Sequence, residues 1–489
     1  MSTPKVWAAR RSAHLWLALL MLATLVAATT ATSADGTGSQ APTTAPERPN
    51  IVFILVDDMR ADELRFLPKT RRLLGRRGVT YTHALSPHPL CCPARAELIT
   101  GQYAQNNGVK ENFGPWGGFQ ALKAPDNHIG AWMRDRGYRT GFVGRFLNGY
   151  LGGRRIGGWS EWQPLVRRIY AYWRPGFFRE DRLDKGYVTH AIRRRAARVI
   201  RGSDGEPFFL YVWHPSPHEI PKPPARGLGF TPPLPERRYR NHYNRYRPPA
   251  LDTAAYNEKD VSDLPPDLRR RSSTGSRWFT NLARARARAL RSVDDSVAHL
   301  VSQLAELGEL SNTYIVFSSD NGFLFGEHRL SGKNFLFDQA LQVPLLVRGP
   351  GIRRGVRSHR PVSLVDIPAA FVKWAGATPR RRLDGMPLTK PGRRRDTILI
   401  QTGTTQRGTG GWSYRGVTTA RYLYAYRVGH PRSGLLFDRA RDPQALRNRY
   451  HAKAYAAVRR TLDRRTRVLI NCSGPGDCNR AFGPVPDPR

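Results

Sequence analysis

A chain of 489 residues can bury a large core, and suggests one big domain with an appendage or two to three small ones. Its formal net charge of +41 comes mostly from arginines spread along the whole sequence. No RNA- or DNA-binding signature accompanies them, so nucleic acid is not an expected partner. Most of these side chains are read as solvated, with a polyanion such as a sulfated polysaccharide as the functional alternative.

The N-terminus reads as an export signal. Lys5, Arg10 and Arg11 precede an apolar run at 15–28 and small residues at 29–34, with Thr32-Ser33-Ala34 as a cleavage site. The run is too short for a stable membrane span. No cysteine follows it to carry a lipoprotein anchor, and the Arg10-Arg11 pair raises the twin-arginine route. Residues 1–34 are therefore expected to be a signal peptide and 35–48 a Thr/Pro/Ala-rich linker.

Next, Asn50–Val56 is a continuous apolar run, the pattern of a central parallel strand covered on both faces. Runs at 140–143, 208–213, 313–317 and 343–347 look alike, and helical segments at 187–201 and 278–307 lie between them. This alternation predicts an α/β fold with a mainly parallel sheet. From about residue 382 the pattern changes to short strands at 397–401, 414–418, 422–427 and 434–437, then a helix at 452–469. The expected architecture is a catalytic domain at 49–385 and a smaller antiparallel sheet with one helix at 386–489. Residues 393–395 mark a connecting loop.

In parallel sheets, ligands bind at the carboxyl ends of the strands. The first run ends in Asp57-Asp58, the 313–317 run leads to Asp320-Asn321, and the 208–213 run leads to His214 and His218. Cys472 and Cys478 bracket a Gly/Pro-rich stretch suited to a small disulfide loop. Cys91 and Cys92 are vicinal, a strained arrangement for pairing, and need another explanation.

That explanation is Cys91-Cys92-Pro93-Ala94-Arg95-Ala96-Glu97-Leu98-Ile99-Thr100-Gly101, which resembles the sulfatase signature. The resemblance implies an alkaline-phosphatase-like fold. It also implies that a separate formylglycine-generating enzyme oxidises Cys91 to formylglycine. Only Cys91 has Pro two residues on and Arg four residues on, so Cys92 is not the target. A formylglycine aldehyde hydrates to a diol; one hydroxyl attacks sulfur, and the second expels the sulfate by re-forming the aldehyde. Arg95, one helical turn on, is placed to stabilise the nucleophile or hold the metal-site carboxylates.

The resemblance further maps Asp57, Asp58, Asp320 and Asn321 onto the family's metal ligands, with the modified Cys91 beside them. All four are oxygen donors, which select Ca²⁺ first and Mg²⁺ second. Lys333 matches the lysine that contacts the sulfate, and His218 the histidine near the leaving-group oxygen, where it suits a general acid. His88 and His214 have no such match and are read as structural. Asp320-Asn321-Gly322 through Gly332-Lys333, Val343-Pro344-Leu345-Leu346-Val347, and Leu436-Phe437-Asp438 extend the likeness over nearly the whole mature chain.

One segment departs from the family. Gly144-Arg145-Phe146-Leu147-Asn148 stands where many sulfatases carry Gly-Lys-Trp-His. Arg145 can bind sulfate bidentately but does not readily lose a proton, and Asn148 can orient the second hydroxyl but is a poor base. The Leu-Asn ending, the double cysteine and Asp260-Val261-Ser262-Asp263-Leu264-Pro265-Pro266 resemble the branch of N-acetylglucosamine-6-sulfatases. The function implied is hydrolysis of a sulfate ester in a small molecule or glycan, with glucosamine 6-O-sulfate as the specific expectation. The alternatives are a phosphodiester or phosphonate monoester hydrolase of the same superfamily, and a non-catalytic polyanion-binding protein.

Overall fold

Seven consecutive buried residues, Asn50–Val56, form the central strand β1, and their alternation divides the core into two layers. Ile51, Phe53 and Leu55 face one layer, and Val52, Ile54 and Val56 the other. The computed structural model describes residues 48–222, 229–269, 275–388 and 395–489. The expected signal peptide, the linker as far as residue 47, and residues 393 and 394 of the expected connecting loop lie outside the described residues.

Eight further strands complete the main sheet. They are β2 (Val79–Tyr81), β3 (Arg139–Arg145), β4 (Glu161–Arg167), β5 (Gly176–Phe177), β6 (Phe208–His214), β7 (Thr313–Ser319), β8 (Leu345–Arg348) and β9 (Val356–Ser358). Their spatial order is β9-β2-β8-β7-β1-β6-β3-β4-β5. The five strands from β7 to β4 run parallel. The 343–347 run differs from its expected likeness to them: β8 pairs antiparallel with β7.

Helices cover both faces, as a parallel sheet requires. On one side lie α1 (Cys91–Thr100) and, later in the chain, Asp366–Ala375, which packs Ile367 and Phe371 against Phe53 and Phe209. On the other lie α2 (Val188–Arg201) and α3 (Ser276–Glu306), whose Ile192, Val293 and Val297 meet Ile54 and Val212. Among the described residues no helix is long and apolar enough to cross a membrane.

The C-terminal strands β10 (Ile398–Gly403), β11 (Trp412–Thr418), β12 (Tyr422–Arg427) and β13 (His430–Asp438) form an antiparallel sheet in sequence order. One face packs Ile398, Ile400 and Leu423 on Leu336 and Leu341 of the main body. The other packs Leu399, Val417 and Tyr424 on Val458 and Leu462 of the helix Ala456–Leu469. Cys472 and Cys478 form a disulfide just beyond that helix. The first face of this small sheet therefore lies against the segment that follows β7, and that contact carries its loops toward the carboxyl ends of the parallel strands.

Candidate active site

The site begins where β1 and β7 end side by side. Asp320 N–H donates to the Val56 carbonyl (3.2 Å), and Met59 N–H to Ser319 Oγ (2.8 Å). The chain then turns at Asp58, whose φ is +71°, a left-handed conformation that Asp tolerates better than most residues. Asp58 N–H donates to Asp320 Oδ1 (3.0 Å), which ties the two strand ends together. Arg286 of α3 supports the turn from below. It is fully buried, donates to the Asp58 carbonyl, and pairs with Glu63 at 2.6 Å.

Cys91 is the first residue of α1, and all ten residues of that helix are buried. The helix ends on Gly101 at φ +66°, the left-handed C-terminal position that glycine fills without strain. Cys91 Sγ faces Asp57 Oδ1 at 3.6 Å and Asp58 Oδ1 at 4.0 Å. From one turn further along, Arg95 reaches Asp57 Oδ2 at 2.6 Å and Asp320 Oδ2 at 2.8 Å, and donates to the Phe146 carbonyl at 3.0 Å. Of the two roles the sequence left open for Arg95, the geometry shows the clamp on the carboxylates.

Lys333 donates its ammonium to Asp58 Oδ2, and His218 Nε2 lies 3.5 Å from the same oxygen. His218 Nδ1 meets the Glu219 carbonyl and must be the protonated ring nitrogen there, so neutral Nε2 carries a lone pair toward Asp58. Two acceptors facing each other leave room for a proton or a cation between them. Arg145 and Asn148 lie on the opposite wall and bond to each other. Asn148 N–H also donates to Cys92 Sγ at 3.0 Å, which gives the second cysteine a structural role. His214 reaches only Ser296 Oγ (3.3 Å), and His88 packs near Trp412.

Tyr170 was not singled out from the sequence. Its hydroxyl donates to Asp57 Oδ2 (3.2 Å) and accepts from Arg145 Nε (3.1 Å), while its ring stacks on His218 with centroids 4.1 Å apart. It follows the carboxyl end of β4, so the strand-end rule would have found it had β4 been recognised.

The electrostatics follow from burial. Burial opposes the Asp57 charge, but Arg95, then His218, Lys333 and Arg145, outweigh it and hold Asp57 below the usual carboxylate range. Asp320 is pushed up by burial and by the Asp57 charge beside it. Burial and the nearby Lys333 lower His218, and burial pushes the Cys91 thiol well up.

Donor atoms of Asp57, Asp58, Cys91 and His218 lie within 4.8 Å of one another. Asn321 Nδ2 donates to Asp58 Oδ1 (2.8 Å), and its buried Oδ1 has no hydrogen-bond partner. Three buried carboxylates and an orphaned amide oxygen are a donor set that fits a hard divalent cation.

The chain matches the sulfatase family over residues 49–377, and the C-terminal region of N-sulphoglucosamine sulphohydrolase over 326–471. It is 32% identical over 362 residues to the extracellular sulfatase SULF-1 homolog of Drosophila melanogaster, covering 70% of this chain and 31% of that protein. It is 30% identical over 366 residues to the human N-acetylglucosamine-6-sulfatase, covering 70% of this chain and 64% of that one. The chain thus spans less than two thirds of either relative's length. A solved structure described as a complex with its substrate D-glucosamine-2-N,6-O-disulfate shares the fold, with a TM-score of 0.69 at 21% identity over 85% of this chain and 96% of that one. With the signature residues gathered at one buried site and the family match spanning the parallel sheet, the chain belongs to the sulfatase family.

Proposed function

We propose that the protein is an exported sulfuric ester hydrolase that acts on a sulfated glycan, with Cys91, matured to formylglycine, as its nucleophile. One observation carries this reading: Cys91 sits at the start of α1 within reach of Asp57 and Asp58, with Arg95, Lys333 and His218 converging on the same carboxylates. Asp57, Asp58, Asp320 and Asn321 are the residues that would hold a cation, Ca²⁺ before Mg²⁺. When bound, that cation supplies Lewis acidity toward a sulfate oxygen.

The chain's own residues do the rest. Lys333 and Arg145 neutralise and orient the sulfate oxygens, and Arg95 keeps Asp57 and Asp320 in place. His218 works from Nε2, because Nδ1 is committed to the Glu219 carbonyl; the neutral ring takes up a second proton at Nε2 and delivers it to the leaving-group oxygen. Asn148 orients the hydroxyl that remains on residue 91. The N-acetylglucosamine-6-sulfatase relative supports glucosamine 6-O-sulfate as the ester. The catalytic body is assigned to 49–385 and the small sheet to a subdomain at 386–489, with maturation by a formylglycine-generating enzyme.

The test pairs mass spectrometry with sulfate release. Protein co-expressed with the maturation enzyme should show its residue-91 peptide lighter by about 18 Da, from loss of H₂S and gain of O. Cys91→Ala should lower sulfate release by on the order of 10³-fold or more. An active enzyme whose peptide is wholly thiol, or an active Cys91→Ala variant, would refute the assignment. Rates on an aryl phosphodiester measured alongside should be the lower ones.

A further inference from the structure

Beside the nucleophile, two loops interlock to form an exposed aromatic surface. Phe113 is 64% exposed and Trp116 37%, both large apolar side chains one or a few residues from the site. Their loop is anchored at both ends to residues already placed there. Asn112 Oδ1 accepts from Cys92 N–H (2.9 Å), and Phe119 N–H donates to the Asn148 carbonyl (2.8 Å). Internal hydrogen bonds from Lys110 and Glu111 N–H to the Trp116 carbonyl, at 2.7 and 3.1 Å, close the loop on itself.

The second loop joins β10 to β11. Asn334, next to Lys333, reaches its Gly403 carbonyl at 3.3 Å. Gly411, at φ +85°, lies so close under the Trp116 indole that a Cβ would sit 2.6 Å from Cγ, so the glycine lets the two loops meet. Lys110 Nζ stands over both the Trp116 and Trp412 rings, at 4.5 and 5.0 Å, and Arg415 over the Trp412 ring at 4.3 Å. Lys110 Nζ donates to the Gly410 carbonyl (2.7 Å) and Arg415 to Gln401 Oε1 (3.2 Å) and the Ile470 carbonyl (3.0 Å), neutral acceptors, while Glu111 of the same loop accepts from the Asn112 N–H. Exposed aromatic surface suits the C–H face of a sugar, and a cation held only by neutral acceptors beside it suits an anionic substituent.

We infer that these two loops form a sugar-binding subsite, where Phe113 and the exposed edge of Trp116 pack against a pyranose ring of an extended glycan and Lys110 takes an anionic group on it. The inference rests on the sulfatase reading of Cys91 and adds the part of the substrate that is not cleaved. Tight turns and clamped ends make this a preformed surface, which saves ordering entropy on binding.

The experiment compares matured wild type with Phe113→Ala, Trp116→Ala and Lys110→Gln on two substrates. One is 4-nitrophenyl sulfate, and the other a heparin-derived tetrasaccharide with 6-O-sulfated glucosamine. Each variant should raise the tetrasaccharide KM about tenfold, and its kcat/KM should fall several times more than that for the aryl sulfate. Equal losses on both substrates, or none on either, would overturn the subsite. A parallel calorimetric titration uses the tetrasaccharide and unmatured Cys91→Ser protein, so that failure of the hydrolase reading does not hide the result. Binding that weakens tenfold in Trp116→Ala supports the subsite even without turnover; undetectable binding to the parent, or equal affinity in the variant, rejects it.

Discussion

At the scale of single residues, Tyr170 couples the two walls of the site. Its hydroxyl bridges Arg145 and Asp57, both charged, and its ring holds His218 by stacking. Burial, its largest influence, pushes the phenol well above its ordinary value, so it acts as a neutral hydrogen-bonding group. Tyr170→Phe keeps the ring and loses only the bridge. A hydrogen bond to a charged group contributes about 1.5–3 kcal/mol, so kcat should fall roughly 10- to 100-fold where the bridge is fully used in the transition state. Tyr170→Ala should lose the stack as well. On the acid role proposed for His218, its extra penalty should fall on sugar and alkyl sulfates, whose poor leaving groups need a proton, and much less on activated aryl sulfates. A uniform penalty across leaving groups would show that Tyr170 does not position the acid.

The element that organises the site is α1, and its burial on every side gives it an unusual load. Arg95 and Glu97 are two residues apart and so point to different sides of the helix. Arg95 enters the carboxylate cluster, while Glu97 is fully buried with Asp384 as its charged neighbour. Burial, then Asp384, pushes the Glu97 carboxyl well up. A raised folded pKa means that the native state keeps a proton the unfolded chain releases above about pH 4.5, so stability is lost as pH rises. Glu97→Gln removes that loss. Thermal unfolding of the variant should therefore occur at higher temperature than wild type at pH 8, by the equivalent of at least ~1 kcal/mol, with the gap closing toward pH 4.5. A gap that does not vary with pH would place the effect in packing instead. Element by element, legibility followed apolar continuity. β1, β6 and β7 were readable because strands covered on both faces must be apolar throughout, and Asp57, Asp58, Asp320 and Asn321 were readable because they sit where those runs stop. β4 was hidden: it alternates polar and apolar residues and contains Pro164, so Tyr170 behind it was hidden too. The direction of β8 was equally unreadable, since a short apolar run looks the same parallel or antiparallel.

At the scale of the whole molecule, three buried histidines make the fold sensitive to acid. Burial lowers His88 and His214 to about 3 and His128 to about 4. His128 shows the cause most directly. Its Nδ1 accepts from the Gly130 N–H (3.0 Å) to cap the helix Ile129–Asp135, and its Nε2 donates to the Gly157 carbonyl (3.0 Å), so both nitrogens are used and a second proton would break the cap. For each histidine the folded pKa lies below the unfolded value of about 6.5. Their contribution to stability is thus fully present above pH 6.5 and declines by about 1.4 kcal/mol per group per pH unit as pH falls toward the folded value. Glu97, Asp320 and Glu219, all raised by burial, act with the opposite sign, so the histidine contribution is read from one group at a time, by comparing wild type with His128→Asn. Between pH 7 and 5.5 the unfolding midpoint of wild type should therefore drop relative to that of His128→Asn. The net charge of +41 offers a competing cause, since added positive charge on an already basic surface also destabilises the compact state. Salt separates the two. Repulsion between exposed charges is screened at 1 M salt, where the Debye length is about 3 Å, whereas the cost of protonating a buried imidazole is not. The drop should persist in 1 M NaCl. His128→Asn keeps a good N-cap, so the drop relative to it should equal roughly the contribution of one group. A drop that disappears in salt, or none relative to His128→Asn, would assign the acid sensitivity to the surface arginines.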